Sequence, residues 1–158
     1  MAGLNRYDNG QTTAVSSGSA GNCAAGGFYT SAHIFGNTEA FVVSQVNGRW
    51  QKAIEVPGTA ALNKGGRAFT TSVSCASAGD CGAGGVYADA SHRSEAFVVS
   101  QVNGRWQQAI EVPGMAALNH GDAQVNSMSC ASAGQCSAGG YYTDVSRGTE
   151  AFVVSETT

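Results

Sequence analysis

Apolar and polar positions alternate along this chain in short bursts, cut by Gly, Asn and Pro. The middle of the chain shows the pattern best. Thr70 to Cys75 (TTSVSC) alternates and is β-branched, and predicts a strand. Ala76 to Asp80 is a turn of small residues, and Cys81 to Tyr87 predicts a second strand containing Gly84-Gly85. A polar loop, Ala88 to Arg93, leads to a third strand, Glu95 to Val102 (EAFVVSQV). Asn103-Gly104 then predicts a tight hairpin, because both turn positions require positive φ. Arg105 to Val112 predicts a fourth strand, ended by Pro113-Gly114. Met115 to Gly121 is a longer loop into the next first strand.

This unit recurs. AFVVSQVNGRW stands at Ala40 to Trp50 and again at Ala96 to Trp106, and AFVVS returns at Ala151 to Ser155. A second block appears three times, at 14–27 (AVSSGSAGNCAAGG), 72–85 (SVSCASAGDCGAGG) and 127–140 (SMSCASAGQCSAGG). The period is about 55 residues. The chain divides into repeat one over 4–59, repeat two over 60–114 and repeat three over 115–158, the last without its NGRWQxAIEVP strand. The chain starts between two units and stops just after the third AFVVS, which predicts a piece excised or engineered from a longer array.

Four antiparallel strands per unit predict an all-β fold of β-propeller-like blades, with 11 readable strands in all. The unit resembles a kelch repeat: a double Gly, then a Tyr, then a Trp opening strand four. These are Gly26-Gly27, Tyr29 and Trp50, then Gly84-Gly85, Tyr87 and Trp106, then Gly139-Gly140 and Tyr142. The added Cys pair is similar to secreted bacterial propeller-type repeats with SCxSxxxC in each blade. Propeller rings hold about four to eight blades. Three blades therefore predict a homodimer closing a six-bladed ring about a two-fold axis. A β-trefoil or β-prism is the alternative, since each also carries three four-strand units.

Composition agrees with many short strands: 22 Gly, 2 Pro and 12% charged residues. The net charge of −3 argues against nucleic acid as a partner. No run of 18 apolar residues predicts a membrane span.

The 5 Cys fall in register. Cys75/Cys81 and Cys130/Cys136 share a spacing that can staple two strands across their turn. Repeat one has Ser17 and Cys23 at these places, leaving Cys23 a free thiol. Disulfides predict a secreted parent protein. Metal is not expected: CxxC pairs are lacking, and His33, His92 and His120 are not at ligand spacing.

Candidate chemistry is sparse. The three histidines do not recur in register and read as solvated loop residues. The recurring carboxylates are Glu39, Glu95 and Glu150 before strand three, and Glu55 and Glu111 in strand four. Glu95 with Glu111 has the composition of a glycosidase pair. Identical carboxylates in every unit fit a structural role better, pairing with Arg49 and Arg105 across the hairpin. The Gly-rich turns lack the Lys-Ser/Thr of a phosphate loop, and no cofactor is expected. Asp89 and Asp144 recur after strand two, with Ser31 at that place in repeat one, and lack calcium-loop spacing.

The recurring aromatics Tyr29, Tyr87, Tyr142, Trp50 and Trp106 are candidates for inter-blade packing. With Asp89 and Asp144 they are also candidates for binding carbohydrate. The expectation is a non-enzymatic, secreted repeat binding module for glycan or protein. The alternative is a purely structural or engineered self-assembling scaffold. A secreted hydrolase ranks last.

Overall fold

A computed structural model describes Leu4 and residues 9–31 and 36–155. The described residues form an all-β protein of three antiparallel sheets, in chain order. The first holds β1 (Gly10–Ser19), β2 (Asn22–Thr30), β3 (Thr38–Val46), β4 (Arg49–Trp50) and β5 (Ile54–Glu55). A single helical turn, α1 (Thr59–Leu62), leads to the second sheet: β6 (Ala68–Ser77), β7 (Asp80–Ala88), β8 (Ser94–Val102), β9 (Arg105–Trp106) and β10 (Ile110–Glu111). A second turn, α2 (Met115–Leu118), leads to β11 (Gln124–Ser132), β12 (Gln135–Thr143) and β13 (Thr149–Ser155).

The hairpins form where turn chemistry places them. Asn47-Gly48 and Asn103-Gly104 all have positive φ, at 49°, 79°, 51° and 79°. Each tip is also tied to the turn between the first two strands of its sheet. Gly48 donates to the Gly21 carbonyl and Gly104 to that of Gly79, both at 2.8 Å.

Two expectations from the sequence change. The continuous fourth strand is broken. Trp50 lies opposite Gln45 and Ile54 opposite Val42, so both pieces pair with β3; between them Gln51 still donates its N–H to the Ser44 carbonyl, but Gln51 to Ala53 are not strand. The break turns Ala53 inward, where it is buried, and Ala109 does the same in the second sheet. The loop expected from Met115 to Gly121 opens as α2, started by Gly114 in the left-handed region at φ 81°.

The sheets pack face to face in sequence order. Ala24, Ala40 and Val42 of the first meet Val73, Ala83 and Val99 of the second. Ala96, Val112 and Val98 of the second share a core with Val125, Met128 and Ala138 of the third. Burying one such Val contributes about 1.5–3 kcal/mol. Small residues set the close spacing. A Cβ at Gly26 would stand 2.5 Å from Thr70 Cγ2, and one at Gly84 would stand 2.7 Å from Val125 Cγ1. Neither contact leaves room for a side chain.

Candidate functional site

The recurring Tyr and Glu residues meet each other. Glu55 lies opposite Phe41 on β3, beside the strand that carries Tyr29. The Tyr29 hydroxyl donates to Glu55 at 3.5 Å, and Tyr87 donates to Glu111 at 3.1 Å. Both rings are buried. Burial, then the nearby carboxylates, pushes both phenols above their ordinary pKa.

Glu39 and Glu95 take a different partner. Asn63 and Asn119, each just after a helical turn, donate Nδ2 to them at 2.8 Å. The same Asn side chains receive N–H groups on the way to the next sheet, from Arg67 at 2.7 Å and from Gly121 at 3.2 Å. Burial raises the pKa of both glutamates; the Asn hydrogen bonds oppose it. These contacts correct the expected pairing of the glutamates with Arg49 and Arg105. Among the described residues the ion pairs are Arg93 with Asp89 at 3.2 Å and with Glu95 at 3.9 Å. Arg49 and Arg105 sit at exposed hairpin tips, and among the described residues neither forms an ion pair with a glutamate.

Asp89 and Asp144 brace their own loops. Asp89 accepts N–H bonds from Ser91 and Arg93 at 2.8 and 2.9 Å, and Asp144 accepts one from Gly148 at 2.7 Å. Burial works against the Asp89 charge, but these donors and the Arg93 guanidinium outweigh it and hold the carboxyl below its ordinary pKa. Asp80 is likewise lowered, by Ser77 and by the Asn103 N–H. His92 and His120 are exposed, and His33 lies outside the described residues. No three potential metal ligands converge among the described residues.

Cys75–Cys81 and Cys130–Cys136 are disulfides, each joining residues directly opposite across the first hairpin of its sheet. Cys23 is free, and Ser17 stands opposite it with its hydroxyl against the sulfur.

The contacts between sheets repeat. Call the face of each sheet that meets the next one its leading face. The Thr13 hydroxyl donates to the Thr70 carbonyl, and the Thr71 hydroxyl to that of Val125. Both threonines sit at a register break in their strands, which re-aims their side chains across the gap. Ser16 Oγ accepts the Cys75 N–H and Ser74 Oγ accepts that of Cys130, both at 3.0 Å. Trp106 Nε1 and Gln101 Nε2 reach back to Ser44 Oγ at 3.2 and 2.8 Å.

The two end faces leave both halves of this contact set uncovered. On the leading face of the third sheet, Val153 pairs with Gly139 and is 80% exposed, while its counterpart Val42 is 0% exposed. Asn126 and Ser129, in the positions of Thr71 and Ser74, are exposed beside it. On the opposite face of the first sheet, Val15 is 64% exposed against 8% for its counterpart Val73, and Trp50 is 50% exposed. Of the aromatic sequence candidates, Tyr29 and Tyr87 are buried, Tyr142 and Trp106 are half-buried, and Trp50 alone is exposed. Asn63, Asn119, Ser16 and Ser74 were not singled out by sequence. The recurring Ala-Leu-Asn tripeptide was the available signal for the two asparagines. No protein-family model and no curated protein matches the chain.

Proposed function

We propose that this chain is a non-enzymatic, extracellular binding module whose ligand is a further unit of its own kind. Its sheets are kelch-like propeller blades, and two chains close a six-bladed ring. One observation carries this: the contact set joining the sheets in sequence order is left half-made at each end. The third sheet offers Val153, Asn126 and Ser129; the first offers Val15, Trp50 and the Ser17 N–H. A partner docked head to tail would repeat the internal geometry. Trp50 would meet the partner's Ser155, as Trp106 meets Ser44.

Such a contact is heterologous, and two of them related by a two-fold axis close a ring with no exposed face left over. Large exposed apolar residues at both ends support a docking role. The two disulfides are compatible with an extracellular setting. No helix among the described residues is long and apolar enough to cross a membrane.

The test is absolute mass by light scattering on a sizing column. The wild type is expected at the mass of two 16.0 kDa chains. Val153→Asp is expected at one chain with unchanged circular dichroism, because it buries a charge opposite the first sheet. A wild type that stays at one chain at high concentration overturns the ring. The glycan reading would then rest on the exposed Trp50 indole, and oligosaccharide quenching of Trp fluorescence would be sought.

A further inference from the structure

The outer edge of the third sheet offers a second site, distinct from its open face and independent of the ring. β13 pairs with β12 on one side, and no described residue pairs with its other side. In the other two sheets the same edge is covered. Ala40 and Ser44 of β3 accept N–H bonds from Val56 at 2.9 Å and Gln51 at 2.8 Å. Ala96 and Ser100 of β8 accept them from Val112 at 2.9 Å and Gln107 at 2.8 Å. The matching positions in β13 are Ala151 and Ser155. Ala40 and Ala96 are 0% exposed, whereas Ala151 is exposed.

Side chains mark what the edge would take. Tyr29 and Tyr87 each donate to a carboxylate on the covering strand, Glu55 or Glu111. Tyr142 occupies the same place on β12; Glu150 of β13 is its register partner, as Glu95 is for Tyr87, but among the described residues no covering strand brings a second carboxylate to it. An apolar cleft lies between the second and third sheets, lined by Val98, Ile110, Met128 and Val154. It measures about 760 Å³, against about 390 Å³ for the matching space that Trp106 enters between the first two sheets.

We infer that β13 accepts an extended segment in antiparallel register, of the chemistry Trp-x-x-x-Ile-Glu-Val. The pairing of β10 on β8 sets the register: Ile opposite Val153 and Glu opposite Phe152, as Ile110 faces Val98 and Glu111 faces Phe97. The Glu then receives the Tyr142 hydroxyl, and the Trp enters the cleft. Main-chain bonds to the open edge supply affinity, and these three side chains supply selectivity.

The probe is a fluorescein-labelled synthetic peptide with the sequence of Asn103 to Pro113, NGRWQQAIEVP, titrated with the intact protein by anisotropy. Saturable binding is expected, weakened about tenfold or more by replacing the peptide's Trp or its Glu with Ala, the scale of one lost anchor or charged hydrogen bond. Tyr142→Phe should weaken the parent peptide about as much, and should have little further effect on the peptide lacking Glu. The peptide substitutions need no altered protein, so a folding defect cannot mimic the result. Absence of saturable binding, equal binding of a scrambled peptide, or independent effects of Tyr142 and the peptide's Glu would each overturn the assignment.

Discussion

Replacing Ser17 by Cys should give the first sheet the staple that the other two carry. Ser17 and Cys23 are directly opposite in the β1–β2 register, as Cys75 and Cys81 are in β6–β7. The Ser17 hydroxyl already touches the Cys23 sulfur, so the new sulfur has no backbone distance to close. The two native disulfides span a sequence separation of 6, and the new one would match them. Closing a loop of about seven residues removes unfolded-chain entropy worth roughly 2 kcal/mol at 25 °C. For a chain of this size that corresponds to about 4–8 °C in Tm. Two readouts check it together. Thiol titration in denaturant should fall from the one free cysteine of the wild type to none. The Tm gain should vanish when a reductant strong enough to open this bond is present, relative to wild type treated alike. A variant that keeps titratable thiols after mild oxidation would refute the shared hairpin geometry. A Tm gain that survives full reduction would refute the cross-link as its cause.

Gly104→Ala should cost about 1–2 kcal/mol by chemical denaturation, since its φ is 79° but nothing stands within 4 Å of a new Cβ. Gly85→Ala should cost more, about 3 kcal/mol, because its Cβ would fall 1.9 Å from the Phe69 carbonyl oxygen; the reverse order would contradict the packing. Burial raises the pKa of folded Glu95, so the folded state holds more protons than the unfolded one in the window above the ordinary glutamate value. Its contribution is complete below that window and is lost as pH rises through it. Glu95→Gln should flatten this part of the stability–pH curve, and an unchanged slope would remove Glu95 as its source.

Much of the local structure was legible because its causes are local. Positive φ at Asn103 and Gly104 is demanded within the turn itself, so the hairpin could be read from two letters. The spacing of Cys75 and Cys81 across a tight turn likewise led to a cross-strand pair. The broken fourth strand was not legible. Gln51 to Ala53 carry no breaker, and the break follows from turning Ala53 into the core. The glutamates were assigned to Arg49 and Arg105 because those lie near in sequence. Their partners are Tyr87, which reaches Glu111 from two strands away in the same sheet, and Asn119, which reaches Glu95 from beyond a helical turn.

The sequence by itself determined the all-β character, the three-fold repetition, the turns and the disulfide partners. Each depends on backbone preferences or on residues a few positions apart. Only the tertiary structure decided which copy of a repeated residue is covered. Val42 and Val153 occupy matching places in AFVVS, yet one is sealed by the second sheet and the other faces solvent. Burial is a property of the neighbouring sheet and not of the residue. The open faces therefore emerge only when the sheets are stacked, whereas the uncovered edge of β13 follows from the missing fourth strand of repeat three.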